Sequence, residues 1–387
     1  MLELHESDGA FARLEEWLRG QGFFAPGAEH LVADLYLGFG LSAPLRRERT
    51  PPPPEPCRLP LLACAVRHNG HDVSSDNSDD RSDNHERSAS DVVEIGPWSR
   101  TWAEAEHRSA VDAVRLAIAR GDVYQVNLVQ HLSASFAGAP SALAARLAPL
   151  TQPSDAPFAD SALRLLEGAG WAIVSASPEL LVSTRGRWIR TRPIKGTRPL
   201  GRRSELLASR KDAAEHVMIV DLERNDLSRI CVHGSVRWPE LMRAESLAGV
   251  EHLVSTVEGE LRPEVGLAEL LEALFPGGSV TGAPKIAALD LIAALEPVGR
   301  GASMGALGRV HGTGDLDLAL TIRTFAIADG RVHLWVGGGI VWDSDPQAEV
   351  DESLAKAEPL LAAIGAPLGQ RATTGSAPKR RLAGDRR

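Results

Sequence analysis

The chain has 387 residues, 43% of them apolar, and a formal net charge of −9. That length and apolar share suffice for a sizeable core in one large or two ordinary domains. The negative balance excludes a general nucleic-acid surface, which needs a basic face to neutralise phosphate.

Residues 1–66 begin MLELHESDGAFARLEEWLRG, whose acidic residues interrupt any apolar core, so the stretch does not read as a signal peptide. Phe11, Leu14, Trp17 and Leu18 share one face of a short helix, an apolar segment runs from about Leu31 to Leu41, and TPPPPEP then punctuates the chain. Residues 67–97, with HNGHDVSSDNSDDRSDNHERSASD, are too polar to offset their ordering entropy and predict a disordered linker. Its His68, His71 and His85 lack the regular spacing of metal ligands. Cys57, Cys64 and Cys231 show neither paired nor metal-type spacing, which fits a reduced, cytoplasmic chain. No run approaches the ~20 apolar residues of a membrane span, so no membrane partner is expected.

Residues 98–364 hold the strongest patterns. A helix over 104–120 is closed by Gly121, and VYQVNLVQHL alternates as a strand with Val126, Leu128 and Leu132 on one face and Gln125 and Asn127 on the other. ELLVSTRGRWIRTRP predicts a hairpin turning at Arg185-Gly186, which would set Glu179 opposite Arg192 with Lys195 three residues on. Helices are predicted over 203–229 and 265–275, followed by the Gly-rich loop FPGGSVTGAPK and the helix KIAALDLIAALE. LALTIRTFAIA and HLWVGGGIVW read as two strands around Asp329-Gly330, and a last helix spans about 347–364. Successive hairpins with helices between them predict an α+β fold with antiparallel sheets. Residues 365–387 form a basic, Gly/Ala-containing tail expected to be disordered.

Within RPIKGTRP, prolines stiffen the backbone on both sides of Lys195 and Gly196 permits a positive φ. Read alone, an exposed surface lysine is the ordinary interpretation; a pinned amine aimed at a reacting carbon is the other. On the last helix Glu349, Glu352 and Lys356 share a face, and Asp212 and Glu215 repeat the i, i+3 spacing on an earlier helix. These are either exposed charge pairs or carboxylates converging on a hard cation such as Mg²⁺. FPGGSVTGAPK is no nucleotide P-loop, because Lys285 follows Pro284 and precedes Ile286, but another anion could sit at the helix start. Gly337, Gly338 and Gly339 interrupt an apolar strand, a sign of close approach, and Arg323 calls for an anionic partner, either a structural carboxylate or a substrate.

GDVYQVNL, SASPELLV, TRPIKGTRP, AEHVMIVDLERNDLSRIC, HLVSTVEGEL, FPGGSVTGAPK, ALTIRTFAI and GGGIVWDSDPQAEVDESLAK follow one another in an order that resembles the chorismate-utilising enzymes, from about residue 98 to 363. That family includes anthranilate, isochorismate, salicylate and aminodeoxychorismate synthases. The resemblance implies an α/β sandwich flanked by helices. Lysine in PIKGT, where anthranilate synthases carry PIAGT, implies the branch that aminates C4 of chorismate through a covalent lysine adduct.

By the same resemblance Lys195 is the nucleophile, Glu179 the general acid and His252 an active-site histidine. Glu215 and Glu352 match Mg²⁺ ligands, with Glu349 and Asp212 as nearby water-mediated candidates. Gly196, Thr197, Arg323, Gly338, Gly339 and Lys356 match positions that bind substrate carboxylates, while Thr281 and Gly282 match the TGAPK loop. Ammonia would come from a separate glutamine amidotransferase subunit, since no glutaminase segment with a nucleophilic Cys is read here. Anthranilate or 2-amino-2-deoxyisochorismate synthesis is the nearer alternative, and a non-catalytic amidotransferase-binding scaffold the more distant one. Three departures stand out: Ser303 occupies a segment where members carry an aromatic, the stretch from Thr197 to Glu215 is short, and residues 1–66 diverge from the family's N-terminal pattern, including its tryptophan-binding serine motif.

Overall fold

The computed structural model describes residues 1–48, 51–68, 92–151, 163–247 and 250–369. The histidines His71 and His85, most of the polar linker and the basic tail from 370 lie outside the described residues. The elements of the first third are β1 (Leu2–Leu4), α1 (Ala10–Gly20), β2 (Leu31–Leu37), β3 (Leu62–His68), β4 (Glu94–Ile95), β5 (Ser99–Arg100), α2 (Glu104–Arg120) and β6 (Gln125–Ala137). Next come α3 (Pro140–Leu147), β7 (Leu165–Gly168), β8 (Trp171–Ser175), β9 (Leu180–Arg185), β10 (Trp188–Arg192), β11 (Ile194–Pro199), α4 (Arg203–Ala208), α5 (Arg210–Ser228), β12 (Arg237–Leu247) and β13 (Val250–Glu260). The last third holds α6 (Leu267–Leu274), β14 (Gly282–Ala283), α7 (Lys285–Leu295), β15 (Ala306–His311), β16 (Leu316–Leu320), β17 (Thr324–Ala328), β18 (Arg331–Ile340) and α8 (Pro346–Ala363).

Two antiparallel sheets organise these elements into the expected α+β sandwich. The larger runs β1-β3-β2-β15-β16-β9-β10-β13-β11, with β12 also on β13; the smaller runs β14-β6-β18-β17-β8-β7, with β4 and β5 also on β6. One apolar core joins residues of both sheets, among them Leu35, Leu318, Val126 and Ile173, and also takes in α1, α6 and α7. A second core lies under α3 and α8, where Leu143, Leu147, Leu360 and Leu361 cover the smaller sheet. Strand β6 is therefore buried on both faces, its polar Gln125 and Asn127 included. Residues 1–66, set apart by sequence, add three strands to the larger sheet: β2 pairs along its length with β15.

Two local expectations change. The hairpin turns at Gly186-Arg187, one residue later than predicted, pairing Arg185 with Trp188 and Thr184 with Ile189. A register shift between Arg190 and Arg192 then sets Arg192 opposite Leu180; an irregularity of this kind is invisible to period-two reading. LALTIRTFAIA is not one strand: β16 pairs with β9 in the larger sheet and β17 with β8 in the smaller. The break falls at Arg323, which adopts a left-handed φ of 49°.

Candidate active site

The site is built where the chain changes sheets. Between β8 and β9 it passes through Ala176–Glu179, and between β16 and β17 through Thr321–Arg323. These two crossings lie side by side, because Leu320 N–H donates to the Glu179 carbonyl at 2.9 Å and Ala176 N–H to the Arg323 carbonyl at 3.0 Å. Glu179 is 4% exposed. Arg323 is half-buried, forms no ion pair among the described residues, and lies close enough to Glu179 and His252 to shift their electrostatics.

Lys195 approaches from β11. Gly196 takes a φ of 65° and the register against β13 shifts between Lys195 and Thr197, so the glycine forms a bulge that re-aims its neighbours. The Lys195 amine donates to the Ser279 carbonyl at 3.2 Å, and the Ser279 hydroxyl donates to Glu179 Oε1 at 2.7 Å, where Ile194 N–H adds a second donor at 3.3 Å. Lys195 is half-buried as a residue while its charged end is ringed by protein; that burial lowers its pKa, with Glu179 and Glu215 pulling the other way. Burial raises the pKa of Glu179, opposed by Lys195 and by the Ser279 hydroxyl. One dry pocket thus favours an uncharged amine and a protonated acid together.

His252 lies beside the bulge. Its Nδ1 is 2.8 Å from the Gly196 carbonyl and 3.2 Å from Thr197 Oγ1, so Nδ1 carries the proton that the carbonyl accepts. Nε2 is buried without a partner among the described residues, leaving an acceptor free, and burial lowers the imidazole pKa. Thr197 itself is exposed.

The helices α5 and α8 close the other side. Lys356 donates to the Gly337 carbonyl at 2.9 Å and pairs with Glu352 at 2.8 Å, while Ser344 Oγ donates to Glu349 Oε1 at 2.6 Å. A Cβ on Gly338 would lie 3.2 Å from Lys356 Nζ and 3.5 Å from Glu349 Oε2, so this bare backbone sits directly beneath the charged face of α8. Burial raises the pKa of both Glu215 and Glu349; Glu349 pushes Glu215 further up, and Glu352 does the same to Glu349. Burial also works upward on Glu352, but Lys356, Lys211 and Arg198 outweigh it and hold it below the usual carboxylate range. Asp212 is committed elsewhere, to Arg198 at 2.8 Å. Among the described residues no three His, Cys, Asp or Glu side chains stand together as a metal cage. Carboxylates from α5 and α8, where Glu349 raises the pKa of Glu215 and Glu352 that of Glu349, nonetheless fit a hard divalent cation that takes one or two protein oxygens and completes its shell with water and an anion.

Thr281 and Gly282 are spent on the loop itself. Thr281 is fully buried with its hydroxyl on the Gly277 carbonyl at 2.9 Å, and Gly282 pairs with Val126 of β6. Ser303 is also buried, in a turn where its N–H meets the Arg300 carbonyl at 2.8 Å. Sequence reading missed Ser279, which no local spacing links to Glu179, and Glu223 of α5, which accepts from Thr191 Oγ1 at 2.5 Å and is pushed by burial to about 8. It placed Gln125 on a strand face without foreseeing that its amide fills the space a Gly339 side chain would take; the glycine triplet was the available signal.

The chorismate binding enzyme family matches residues 47–362. Anthranilate synthase component 1 of Streptomyces coelicolor is 43% identical over 275 residues, covering 69% of this chain and 53% of the relative. Aminodeoxychorismate synthase component 1 of Escherichia coli is 39% identical over 279 residues, covering 70% and 60%. The chain thus spans a little over half the length of the relatives it matches. The crystal structure of anthranilate synthase component I from Streptococcus pneumoniae superposes with a TM-score of 0.71 at 29% identity, covering 85% of this chain and 80% of that one.

Proposed function

Because the chain belongs to the chorismate binding enzyme family, we propose that it is the chorismate-aminating component of an aminodeoxychorismate synthase, making 4-amino-4-deoxychorismate from chorismate and ammonia. The observation that carries this reading is the Lys195 amine held 3.2 Å from the Ser279 carbonyl, with Glu179 on the hydroxyl of the same serine. Relatives of similar identity carry both the anthranilate and the aminodeoxychorismate name, so names do not choose between them; the lysine at position 195 supports the second.

The steps balance. Neutral Lys195 forms a bond to C2 as both conjugated ring double bonds shift and the C4–O bond breaks, and Glu179 protonates the departing oxygen to give water. Ammonia then bonds to C4, both double bonds shift back as the C2–N bond to lysine breaks with its electron pair returning to the amine, and Glu179 takes the surplus proton from the new ammonium. An amine occupying C2 directs the incoming nitrogen to C4. Arg323, Lys356 and the glycine backbone at Gly196, Gly338 and Gly339, with Thr197, are the groups suited to substrate carboxylates, and the loop carrying Thr281 and Gly282 shapes the wall. Glu215 and Glu352, with Glu349 beside them, would hold Mg²⁺, which would neutralise substrate carboxylate charge. A glutamine amidotransferase subunit would supply ammonia.

The decisive experiment incubates the protein with chorismate, Mg²⁺ and ammonium and identifies the amino product by mass spectrometry and NMR. The 4-amino isomer supports the reading; the 2-amino isomer refutes it in favour of anthranilate-type or 2-amino-2-deoxyisochorismate chemistry. Absence of any turnover, with amidotransferase binding retained, would leave the scaffold.

A further inference from the structure

The loop between α6 and α7 is fixed from several sides. Arg300 Nη1 donates to the Val280 carbonyl at 2.8 Å, Asn127 N–H to the Thr281 carbonyl at 2.7 Å, and Thr281 Oγ1 to the Gly277 carbonyl at 2.9 Å. Ser279 sits inside this frame, 4% exposed. Some hydroxyls are satisfied within their own helix, as where Ser353 donates to the Val350 carbonyl and Ser228 to the Arg224 carbonyl, while others such as Thr191 reach a carboxylate on another element. Ser279 donates to a carboxylate a hundred residues away in sequence, and its own carbonyl receives the Lys195 amine.

We propose that Ser279 is the positioning residue of the acid–amine pair, its hydroxyl orienting Glu179 and its main-chain oxygen fixing Lys195, so that one rigid residue sets where both groups stand. This rests on the reading of Glu179 and Lys195 given above. The two arms are separable by mutation. Ser279→Ala deletes only the hydroxyl arm, because the carbonyl belongs to the backbone. A hydrogen bond to a carboxylate favours its charged form, so its loss leaves burial less opposed and the Glu179 proton is held more tightly. The other groups facing Glu179 are Lys195 and the Ile194 N–H from β11, Arg323 from the neighbouring crossing and Glu223 from α5.

The test compares wild type, Ser279→Ala and Ser279→Thr in the ammonia-dependent assay across pH, with folding checked by thermal melting. Ser279→Ala should lower kcat about tenfold or more with KM changed less than about threefold. Its alkaline limb, where the acid loses its proton, should move to higher pH by more than the acid limb moves; the limbs belong to a coupled pair, so the difference is the signature. Ser279→Thr, which keeps the donor, should restore the wild-type profile. Should Ser279→Ala not fold, near-isosteric Ser279→Cys, a weaker donor, should shift the limb in the same direction. Superimposable profiles in wild type and Ser279→Ala would overturn the inference, as would equal losses in the Ala and Thr variants without a limb shift. Failure of the functional reading is recognised separately, by a 2-amino product from wild type. The same pH comparison is then made on that product, since the Ser279–Glu179 contact does not depend on which carbon receives nitrogen.

Discussion

Two charged clusters meet at the loop of residues 277–283, and they are finished very differently. Arg300, 2% exposed, spends its guanidinium on both Glu296 oxygens and on the Val280 and Asn127 carbonyls, and stacks 4.4 Å over Phe39, while Glu296 also accepts Val129 N–H. On the other side, among the described residues, Lys195 has one carbonyl, Arg323 has no ion pair and His252 Nε2 has no partner. The buried Arg300–Glu296 pair is saturated, and an unpaired charge at that depth would cost stability. On the function proposed above, the second cluster keeps its unused capacity for what binds.

The comparison is broken or sharpened by removing one charge from each side. Lys195→Ala should fold normally yet lose ammonia-dependent formation of the 4-amino product by about a thousandfold or more, measured by product analysis, and any residual nitrogen should appear at C2. Intact C4 amination would remove the nucleophile from the account. Glu179→Gln, measured the same way, should cost about 10²–10⁴ in kcat, the span of a general acid. Arg300→Met should do the reverse of Lys195→Ala: it strands Glu296 in the core and should destabilise by about 3–5 kcal/mol in denaturant titrations. An Arg300→Met protein as stable as wild type would show that saturation does not mark structural charge here.

How far the site was legible follows the same division. Alternation and punctuation exposed the hairpins, the Gly121 helix stop and the pinned backbone at Lys195, because each leaves a local trace. The switch of sheets at Arg323 left none: a non-glycine residue takes φ 49° inside what reads as one continuous strand. The register shift near Arg190 was hidden for the same reason, as period-two reading assigns faces but cannot count an extra residue. Ser279 lay beyond reach because its partner stands a hundred positions upstream. Glu179 and Lys195 could be named from motifs, while the residue joining them needed coordinates.

Gly196 offers a smaller test. At φ 65° an alanine would cost about 1–2 kcal/mol of backbone strain, and its Cβ would fall 2.7 Å from Leu206 Cδ1, a flexible side-chain end that can move aside. Gly196→Ala should therefore lower stability modestly in melts but disturb the bulge that aims Lys195, so kcat should fall by more than the stability loss suggests. Unchanged kcat would detach the bulge from the chemistry.

A third buried set, in the smaller sheet, sharpens the contrast most gently. His131, 6% exposed, has Nδ1 2.6 Å from Thr101 Oγ1 and Nε2 3.0 Å from His333 Nδ1, and His333 is 1% exposed. Burial lowers His131 from 6.5 to about 3 and His333 to about 4, and Arg331 adds to both shifts. This set resembles neither charged cluster, since it meets burial by staying neutral. With folded-state values below the unfolded one, the unfolded chain binds more protons, so the stabilisation is fully present above pH 6.5 and is lost as pH falls toward 4. At pH 6 the loss should stay below about 1 kcal/mol per histidine and steepen below that. Melting temperature against pH checks it: His333→Gln should flatten the decline between pH 6.5 and 4, and a slope identical to wild type would mean that the pair does not carry the acid sensitivity.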